Sequence, residues 1–495
     1  MTGAPADASR PDASGPRLAG AADDLQPGAP ADASRPAASG SRLAGAADDL
    51  QPGDPADALR PAASGSRLAG AADDLQPGDE VEVEIGAVAH GGHCVARFQG
   101  RVIFVRLALP GELARVRITE ARKGSFCRAE AVEILRADPE RVEAPCVHFG
   151  PGGCGGCDFQ HASGARQRGL KASVVAEQLR RLAGVELPVV VEELPGGGFG
   201  WRTRVRWALD PDGRIGPRAV RSHRVVGVSP AAPCLIAAPG LTELAATLDV
   251  PAGVRRPSSQ ALVRAHSSRP QRGRSGRPEL PEVVLTAAGD GSRLAEWPDE
   301  PGNDHLRTVT ERALGREFSV AADGFWQVHQ AAANTLAEAV EQALSGADLR
   351  GGSGWDLYGG VGLFAAVLAG LVGPDGSVVT VEGDRIASAL AESNLASQTQ
   401  VSAVLGSVEK VIHDLPATVD SVVLDPPRAG AGPALCEQIA ARRPSVIVYV
   451  ACDPAALGRD TAALMAAGYR LDTLRAFDCF PQTHHVECVA RFLPS

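Results

Sequence analysis

From about residue 353 onward, short apolar runs alternate with helix-compatible segments, and this alternation constrains the chain more than any other feature. Trp355-Asp356-Leu357-Tyr358, Val378-Val379-Thr380-Val381, Val422-Val423-Leu424 and Val446-Ile447-Val448-Tyr449-Val450 are rich in β-branched residues and too short for buried helices. They read as strands buried on both faces. Such a series predicts a doubly wound α/β domain, in which ligands sit outside the carboxyl ends of the strands. The residues that follow each strand are therefore where chemistry is expected.

After the first strand comes Gly359-Gly360-Val361-Gly362, and after the second Glu382-Gly383-Asp384. A glycine turn followed by an acid is the arrangement that sets a carboxylate on a ribose hydroxyl. Gly360-Val361-Gly362-Leu363-Phe364-Ala365 also fits the dinucleotide fingerprint, so the residues alone predict an adenosine-containing cofactor and leave NAD and S-adenosylmethionine open. The third strand ends in Asp425-Pro426-Pro427-Arg428, where two prolines stiffen a loop carrying an acceptor, for the cofactor or for a base edge. The fourth delivers Cys452, and Asp453-Pro454 turns the chain. A lone cysteine is more often a buried structural thiol; at the edge of this sheet it is a candidate reactive group. Phe480-Pro481-Gln482-Thr483-His484-His485-Val486-Glu487 precedes the last strand and brings one carboxylate, Glu487, which taken alone reads as a surface residue.

The N-terminal part has a different texture. Residues 3–77 are three copies of a 25-residue unit dominated by Ala, Pro, Gly and Ser. So few large apolar residues cannot offset the entropy of ordering, and disorder is expected. From Gly78 the pattern turns to strands: Val81–Ile85, Val102–Val105, Ala114–Ile118 and Ala129–Ile134, separated by Gly/His, Pro-Gly and Lys-Gly turn signals, of which Gly91–Ala96 is the first. Several short strands in succession predict a small barrel. Cys146, Cys154 and Cys157 then follow among glycines, with Cys234 as a fourth candidate in Ala232-Pro233-Cys234-Leu235. Four cysteines suit zinc or a [4Fe–4S] cluster, and their spacing does not choose between them; His148 and His161 are spare ligands for zinc. Ala165–Ala183 has helical spacing, with Gly184 to cap it. Phe199–Trp207 reads as a strand with alternate arginines between two tryptophans, suited to RNA phosphates and bases or simply to an exposed charged face.

Composition limits the alternatives. The chain has 495 residues, enough for several domains, and no apolar run that would span a bilayer. With no basic-then-apolar leader pattern it reads as a soluble, cytoplasmic protein, expected to act as a monomer. Ten cysteines in such a chain point to metal, cluster or catalytic roles rather than a disulfide framework. The net charge of −10 argues against a general nucleic-acid binder, yet Gly197–Leu280 holds fourteen Arg against five Asp or Glu. A local basic excess matters more to a phosphate backbone than the sum.

Taken together, Cys452-Asp453-Pro454 through Arg459-Asp460, Asp425-Pro426-Pro427-Arg428, Asp356-Leu357-Tyr358 with its glycine turn, Phe325-Trp326-Gln327-Val328 and Phe480–Glu487 resemble the RNA 5-methyluridine (uracil-C5) methyltransferases. The Gly91–Ala96 turn and Leu109–Glu112 resemble the TRAM domain, an OB-like RNA-binding barrel. The likeness runs from about residue 78 to the end. It implies a Rossmann-like methyltransferase domain over 331–495, a TRAM-like barrel over 78–137 and a small α+β central region over 138–330. That central region would bind RNA and carry the cysteines, with 253–281 a flexible basic insertion.

By the same resemblance S-adenosylmethionine is the methyl donor. Gln327, Tyr358, Glu382 and Asp425 line the cofactor and base site, Cys452 is the nucleophile and Glu487 the base. Cys146, Cys154, Cys157 and Cys234 resemble the [4Fe–4S] site of the ribosomal-RNA branch, although the gap between the first two is longer than usual there. The substrate implied is RNA, ribosomal before transfer RNA. Asp453 stands where Asn is common, His329 replaces another Asn, and Gly359 fills a position often Cys or Ser. None of these departures removes a reacting group. An NAD oxidoreductase would leave Cys452 and Glu487 idle, and an RNA-binding protein with vestigial methylation is the reading from another class.

Overall fold

The structure, a computed structural model, describes residues 75–122, 126–251, 253–254, 280–298 and 306–495. The tandem repeats up to residue 74, expected to be disordered, and most of the 253–281 insertion lie outside the described residues. Among those residues the strands form a closed barrel, a four-stranded sheet, a two-stranded ribbon and an eight-stranded sheet.

The barrel comprises β1 (Glu80–Val88), β2 (Cys94–Phe98), β3 (Arg101–Arg106), β4 (Leu113–Ala121) and β5 (Phe126–Arg136), in the order β1-β2-β3-β5-β4. Val81, Val83 and Ile85 point into its core while Glu82 and Glu84 face out, as the alternation predicts. Cys94–Ala96, read from sequence as part of a turn, instead starts β2, with Cys94 and Ala96 buried. Two glycines just ahead of so short a run mask its alternation. Leu75, at the end of the last repeat, is buried in the same core.

Helix α1 (Gly164–Ala183) starts where Ser163 Oγ accepts from the Arg166 amide at 3.1 Å and ends at Gly184 in the left-handed conformation, φ 66°. β6 (Val191–Glu193) follows. The four-stranded sheet, ordered β10-β9-β7-β8, is built from β7 (Arg204–Leu209), β8 (Ile215–Gly216), β9 (Glu282–Ala287) and β10 (Arg293–Glu296), with α2 (Leu241–Thr247) against it. β11 (Thr308–Ala313) and β12 (Arg316–Ala321) form the ribbon. The reading of Phe199–Trp207 as an RNA-facing strand is corrected here. The strand begins only at Arg204, and Trp201 and Trp207 are core residues. Arg204 is buried against Glu311 at 3.1 Å, and Arg202 lines an internal cavity. The tryptophans gain more from burial than from exposure, and Arg204 follows them inward with its carboxylate partner, while Arg206 stays exposed.

The C-terminal part begins with α3 (Ala332–Leu344) and continues through β13 (Ser353–Leu357), α4 (Leu363–Val372), β14 (Ser377–Glu382), α5 (Arg385–Asn394), β15 (Val401–Leu405) and α6 (Val408–Val411). Then come β16 (Ser421–Leu424), α7 (Pro433–Ala441), β17 (Val446–Ala451), α8 (Pro454–Ala466), β18 (Tyr469–Asp478) and β19 (Glu487–Pro494). The sheet order is β15-β14-β13-β16-β17-β19-β18-β6. The first five strands of that order are parallel, β19 runs antiparallel to β17, and β6 is contributed from the region before α3. β17 is buried on both faces. Val446, Val448 and Val450 pack into one apolar cluster with α3 and α4, and Ile447, Tyr449 and Ala451 into another with α7 and α8. The reversal of strand order beside β13 opens the crevice in which a ligand can bind.

Candidate active site

Register puts the predicted residues on one edge. Leu357 pairs with Val381 on one side and Leu424 on the other, and Leu424 pairs with Tyr449. The residues leaving these strands, Tyr358, Glu382, Asp425 and Cys452, therefore stand in a row at the carboxyl edge. Ala451 pairs with Cys488 across the antiparallel β17–β19 ladder. One step further along that register sets Cys452 opposite Glu487.

The cofactor end of the row is built around the glycine turn. Gly360 and Gly362 have φ of 55° and 95°, a conformation that L side chains rarely adopt. Glu382 accepts from the amides of Gly360 (2.9 Å) and Asp384 (2.7 Å), which fix its carboxylate and leave it acceptor capacity for two ribose hydroxyls. Tyr358 is itself held at φ 63°, and its hydroxyl donates to Glu409 Oε1 at 2.8 Å. Gln327 is buried, yet its amide makes no hydrogen bond among the described residues. Its neighbours Trp326 and Val328 share an apolar cluster with Val361 and Leu363 of the glycine turn. Asp356, beneath the turn, is fully buried; it accepts from the Ala365 amide at 2.9 Å and from Thr380 Oγ1 at 3.2 Å. A Cβ on Gly359 would lie 2.0 Å from Thr380 Oγ1, so the threonine hydroxyl fills the space that a side chain at 359 would take.

At the other end, Cys452 borders a cavity of about 170 Å³, walled by His90, Lys171, Arg428, Asp453, His484 and His485 among others. Burial pushes the Cys452 thiol far up, and the Glu487 and Asp425 carboxylates push it further, with Arg428 opposing. Glu487 is 3% exposed, and burial together with Asp425 raises it well above the ordinary carboxylate range. Burial and Asp356 raise Asp425 to about 7. The resting site thus holds a neutral thiol and a carboxyl pair that keeps at least one proton at neutral pH. The arrangement can supply a nucleophile, an acid and a base within one pocket. Arg428, which counters both Cys452 and Glu487, was quoted from sequence without a role. Its only signal there is its place after the two prolines.

A second cavity, about 40 Å³, is lined by Cys146, Cys154, Cys157 and Cys234 with Arg202. Three of the sulfurs have donors: Gly156 N to Cys154 Sγ at 3.3 Å, Gln160 Nε2 to Cys157 Sγ at 3.2 Å, and the Ile236 and Ala237 amides to Cys234. Burial raises Cys154 to about 12 and carries Cys157 and Cys234 upward too. Arg202 carries a guanidinium beside Cys154, Cys157 and Cys234, and its Nε donates to the Arg204 carbonyl at 3.1 Å. Such a site suits a bound group that draws out the thiol protons and carries net negative charge. Of the spare zinc ligands, His148 Nε2 is occupied by Ala232 O at 3.0 Å, and His161 is buried outside the cavity lining, stacked on Phe149. Among the described residues no three or more His, Cys, Asp or Glu side chains close around a single ion. Tetrahedral zinc would need its sulfurs within about 3.8 Å of one another.

Residues 74–132 match the TRAM domain, and residues 411–493 match the family described as tRNA (Uracil-5-)-methyltransferase. A relative from Streptomyces avermitilis, described as an uncharacterized RNA methyltransferase, is 47% identical over 433 residues, covering 84% of this chain and 98% of that protein. The Halomonas elongata 23S rRNA (uracil(1939)-C(5))-methyltransferase RlmD is 34% identical, over 82% of this chain and 88% of its own length. In fold, the chain is similar to the Pyrococcus abyssi tRNA (uracil-54, C5)-methyltransferase solved with S-adenosyl-L-homocysteine. The TM-score is 0.59 at 22% identity, over 83% of this chain and 100% of that one. With its barrel, its doubly wound sheet and these relatives along most of its length, the chain belongs to the TRAM-domain RNA (uracil-C5) methyltransferase family.

Proposed function

We propose that this enzyme transfers a methyl group from S-adenosylmethionine to carbon 5 of a uridine in RNA. The single observation that carries the reading is the juxtaposition of Cys452, Asp425 and Glu487 at one sheet edge. Carbon 5 of uracil is too weak a nucleophile to take a methyl group directly. A thiolate adding at carbon 6 converts the ring to an enolate whose carbon 5 can attack. When bound, S-adenosylmethionine supplies an electrophilic methyl on a sulfonium. Gln327, Tyr358 and Glu382 hold the donor; Asp425 faces both donor and base.

The proton steps belong to the chain. Cys452 must lose its proton before it adds, and Asp425, titrating near neutrality, takes it. A protonated Asp425 can then donate a hydrogen bond to the uracil edge where charge develops. Neutralising Asp425 also removes one of the two causes that raise Glu487. Glu487 then releases its proton to solvent and, as the carboxylate, accepts the carbon-5 proton; Cys452 is expelled as the thiolate and takes back the proton held by Asp425. The base must be unstacked to enter the cavity, from a loop or by flipping.

Large-subunit ribosomal RNA is the favoured substrate, supported by relatives 34% and 31% identical that are named for 23S rRNA. The four-cysteine cavity is proposed to hold a [4Fe–4S] cluster, supported by N–H donors on three sulfurs and by Arg202. Both assignments fit a cytoplasmic site of action. The test is RNA carrying 5-fluorouridine, whose fluorine cannot leave as a proton. A covalent complex should form on Cys452 in the presence of the donor. Its absence, with both substrates shown to bind, would falsify the mechanism. Mapping 5-methyluridine in cells lacking the protein decides the RNA class; loss confined to tRNA would overturn the ribosomal assignment.

A further inference from the structure

The cavity in front of Cys452 has a wall that does not come from the catalytic sheet. Val88, His90, Gly91 and Gly92, at the end of β1 and in the β1–β2 turn of the barrel, border it beside Cys452 and Asp453. The turn is seated tightly. A Cβ on Gly92 would lie 2.6 Å from Cβ of His484, in the loop that leads to Glu487. From this turn His90 Nε2 donates to Asp453 Oδ2 at 2.9 Å. The other oxygen, Asp453 Oδ1, accepts from the Ala456 amide at 2.7 Å and caps α8. One carboxylate thus joins the barrel to the helix that begins immediately after Cys452. Cys452 is one peptide bond from that carboxylate's backbone, so fixing Asp453 restricts where the thiol can sit.

We propose that His90 is a positioning residue for the reaction: it clasps the barrel to the Asp453 cap, and so holds Cys452 at the attack geometry once RNA occupies the cleft. This rests on the reading of Cys452 as the nucleophile. The partly exposed histidine, with 42% of its side chain accessible, makes this a modest clasp rather than a structural cornerstone. Placed one residue from the reacting sulfur, a modest shift in geometry still registers in rate.

The clasp has a pH signature. The Asp453 hydrogen bond raises His90, burial and Arg459 oppose, and Asp453 is itself held low partly by His90. The other charged or titratable groups on the cavity wall are Lys171 from α1, Arg428 after β16, and His484 and His485 ahead of β19. His93 shares the turn and donates to Gly91 O. Because His90 is raised, the charged pair is complete below its pKa and is lost as pH rises through it.

The test uses the full chain and 5-fluorouridine RNA with S-adenosylmethionine, comparing wild type, H90Q, H90K and D453N from about pH 5 to about pH 8. Asn still caps a helix, so D453N removes the charge and keeps the cap. At saturating substrates, H90Q and D453N should form the adduct about threefold more slowly at the acid end. The deficit should shrink as pH rises, and KM for S-adenosylmethionine should not change. H90K should restore the rate and remove the pH dependence of the deficit. An H90Q rate equal to wild type throughout, or a deficit that does not vary with pH, overturns the clasp alone. A folded wild type that forms no adduct overturns the nucleophile reading, and the clasp with it.

Discussion

At Cys452 the protein holds the proposed nucleophile in the unreactive form: burial and the Glu487, Asp425 and Asp453 carboxylates keep the thiol protonated, and Arg428 opposes them. The site therefore depends on a proton acceptor that becomes available near neutral pH. Asp425 lies at about 7, so its carboxylate fraction grows as pH rises through that value. The rate of adduct formation should rise with pH across the neutral range, and D425N should lower it by about a hundredfold and flatten that rise, read by quench-flow on fluorouridine RNA. Glu487 acts later. With ordinary RNA, E487Q should add and methylate but fail to lose the carbon-5 proton, so that a covalent protein–RNA species accumulates on a denaturing gel where wild type shows little. Of these residues, Cys452 and Asp425 were legible because each leaves a strand at the carboxyl edge that the α/β pattern assigns to ligands, whereas Glu487 alone reads as a surface carboxylate and was picked out only through the family resemblance. The burial of Glu487 was not legible, since the polar Thr483-His484-His485 ahead of it gives no apolar signal. His90 was equally hidden, because its partner lies 363 residues away.

The elements around the site depend on α1, whose Lys171 is fully buried and donates to Asp478 Oδ1 at 2.5 Å and to Phe480 O at 2.8 Å. Lys171 thereby pins the end of β18 and the loop that carries Glu487. Gln167, one turn earlier, accepts from the Gln482 amide at 2.8 Å and reinforces the same loop. K171M would leave Asp478 buried without its cation. A loss of about 3–5 kcal/mol is expected, measured by urea unfolding, and K171M/D478N should recover part of it. The helix itself was plain in the sequence, from the 3.6-residue recurrence of Leu170, Val174 and Leu179 to Gly184 at its end. Its partner was not, because nothing local ties Lys171 to a carboxylate 307 residues on. The Phe199–Trp207 stretch shows the opposite failure. Alternation there is real, but it does not say that the face carrying Trp201 and Trp207 is buried in the core while Arg206 stays exposed.

On the scale of the whole molecule, the four-cysteine cavity lies where the segment before α1 meets the segment after β8, already tied by backbone hydrogen bonds such as Gly155 N to Arg218 O at 3.0 Å and Val220 N to Gly153 O at 3.0 Å. Cys146, Cys154 and Cys157 precede α1, whereas Cys234 follows β8, and all four face one space. One buried and three half-buried thiols gain little by being neighbours unless something binds them, because the other sulfurs raise Cys154 and Cys157. A group bound there would cross-link the region before α1 to the four-stranded sheet, and its binding energy would add to the stability of the fold. Anaerobic purification should therefore yield iron and acid-labile sulfide in equal amounts. Removing them with a chelator under oxidising conditions should lower the melting temperature by at least about 2–4 °C, the shift expected per kcal/mol for a domain of this size. C157S should reproduce the loss, since Cys157 is the most deeply buried of the four. Replacing Arg202 with Met should leave the four sulfurs in place but remove the adjacent positive charge, so its iron content should fall less than that of C157S while the bound cluster becomes harder to reduce. Zinc in the purified chain, in place of iron and sulfide, would assign the cavity to a single ion and would require the sulfurs to close around it.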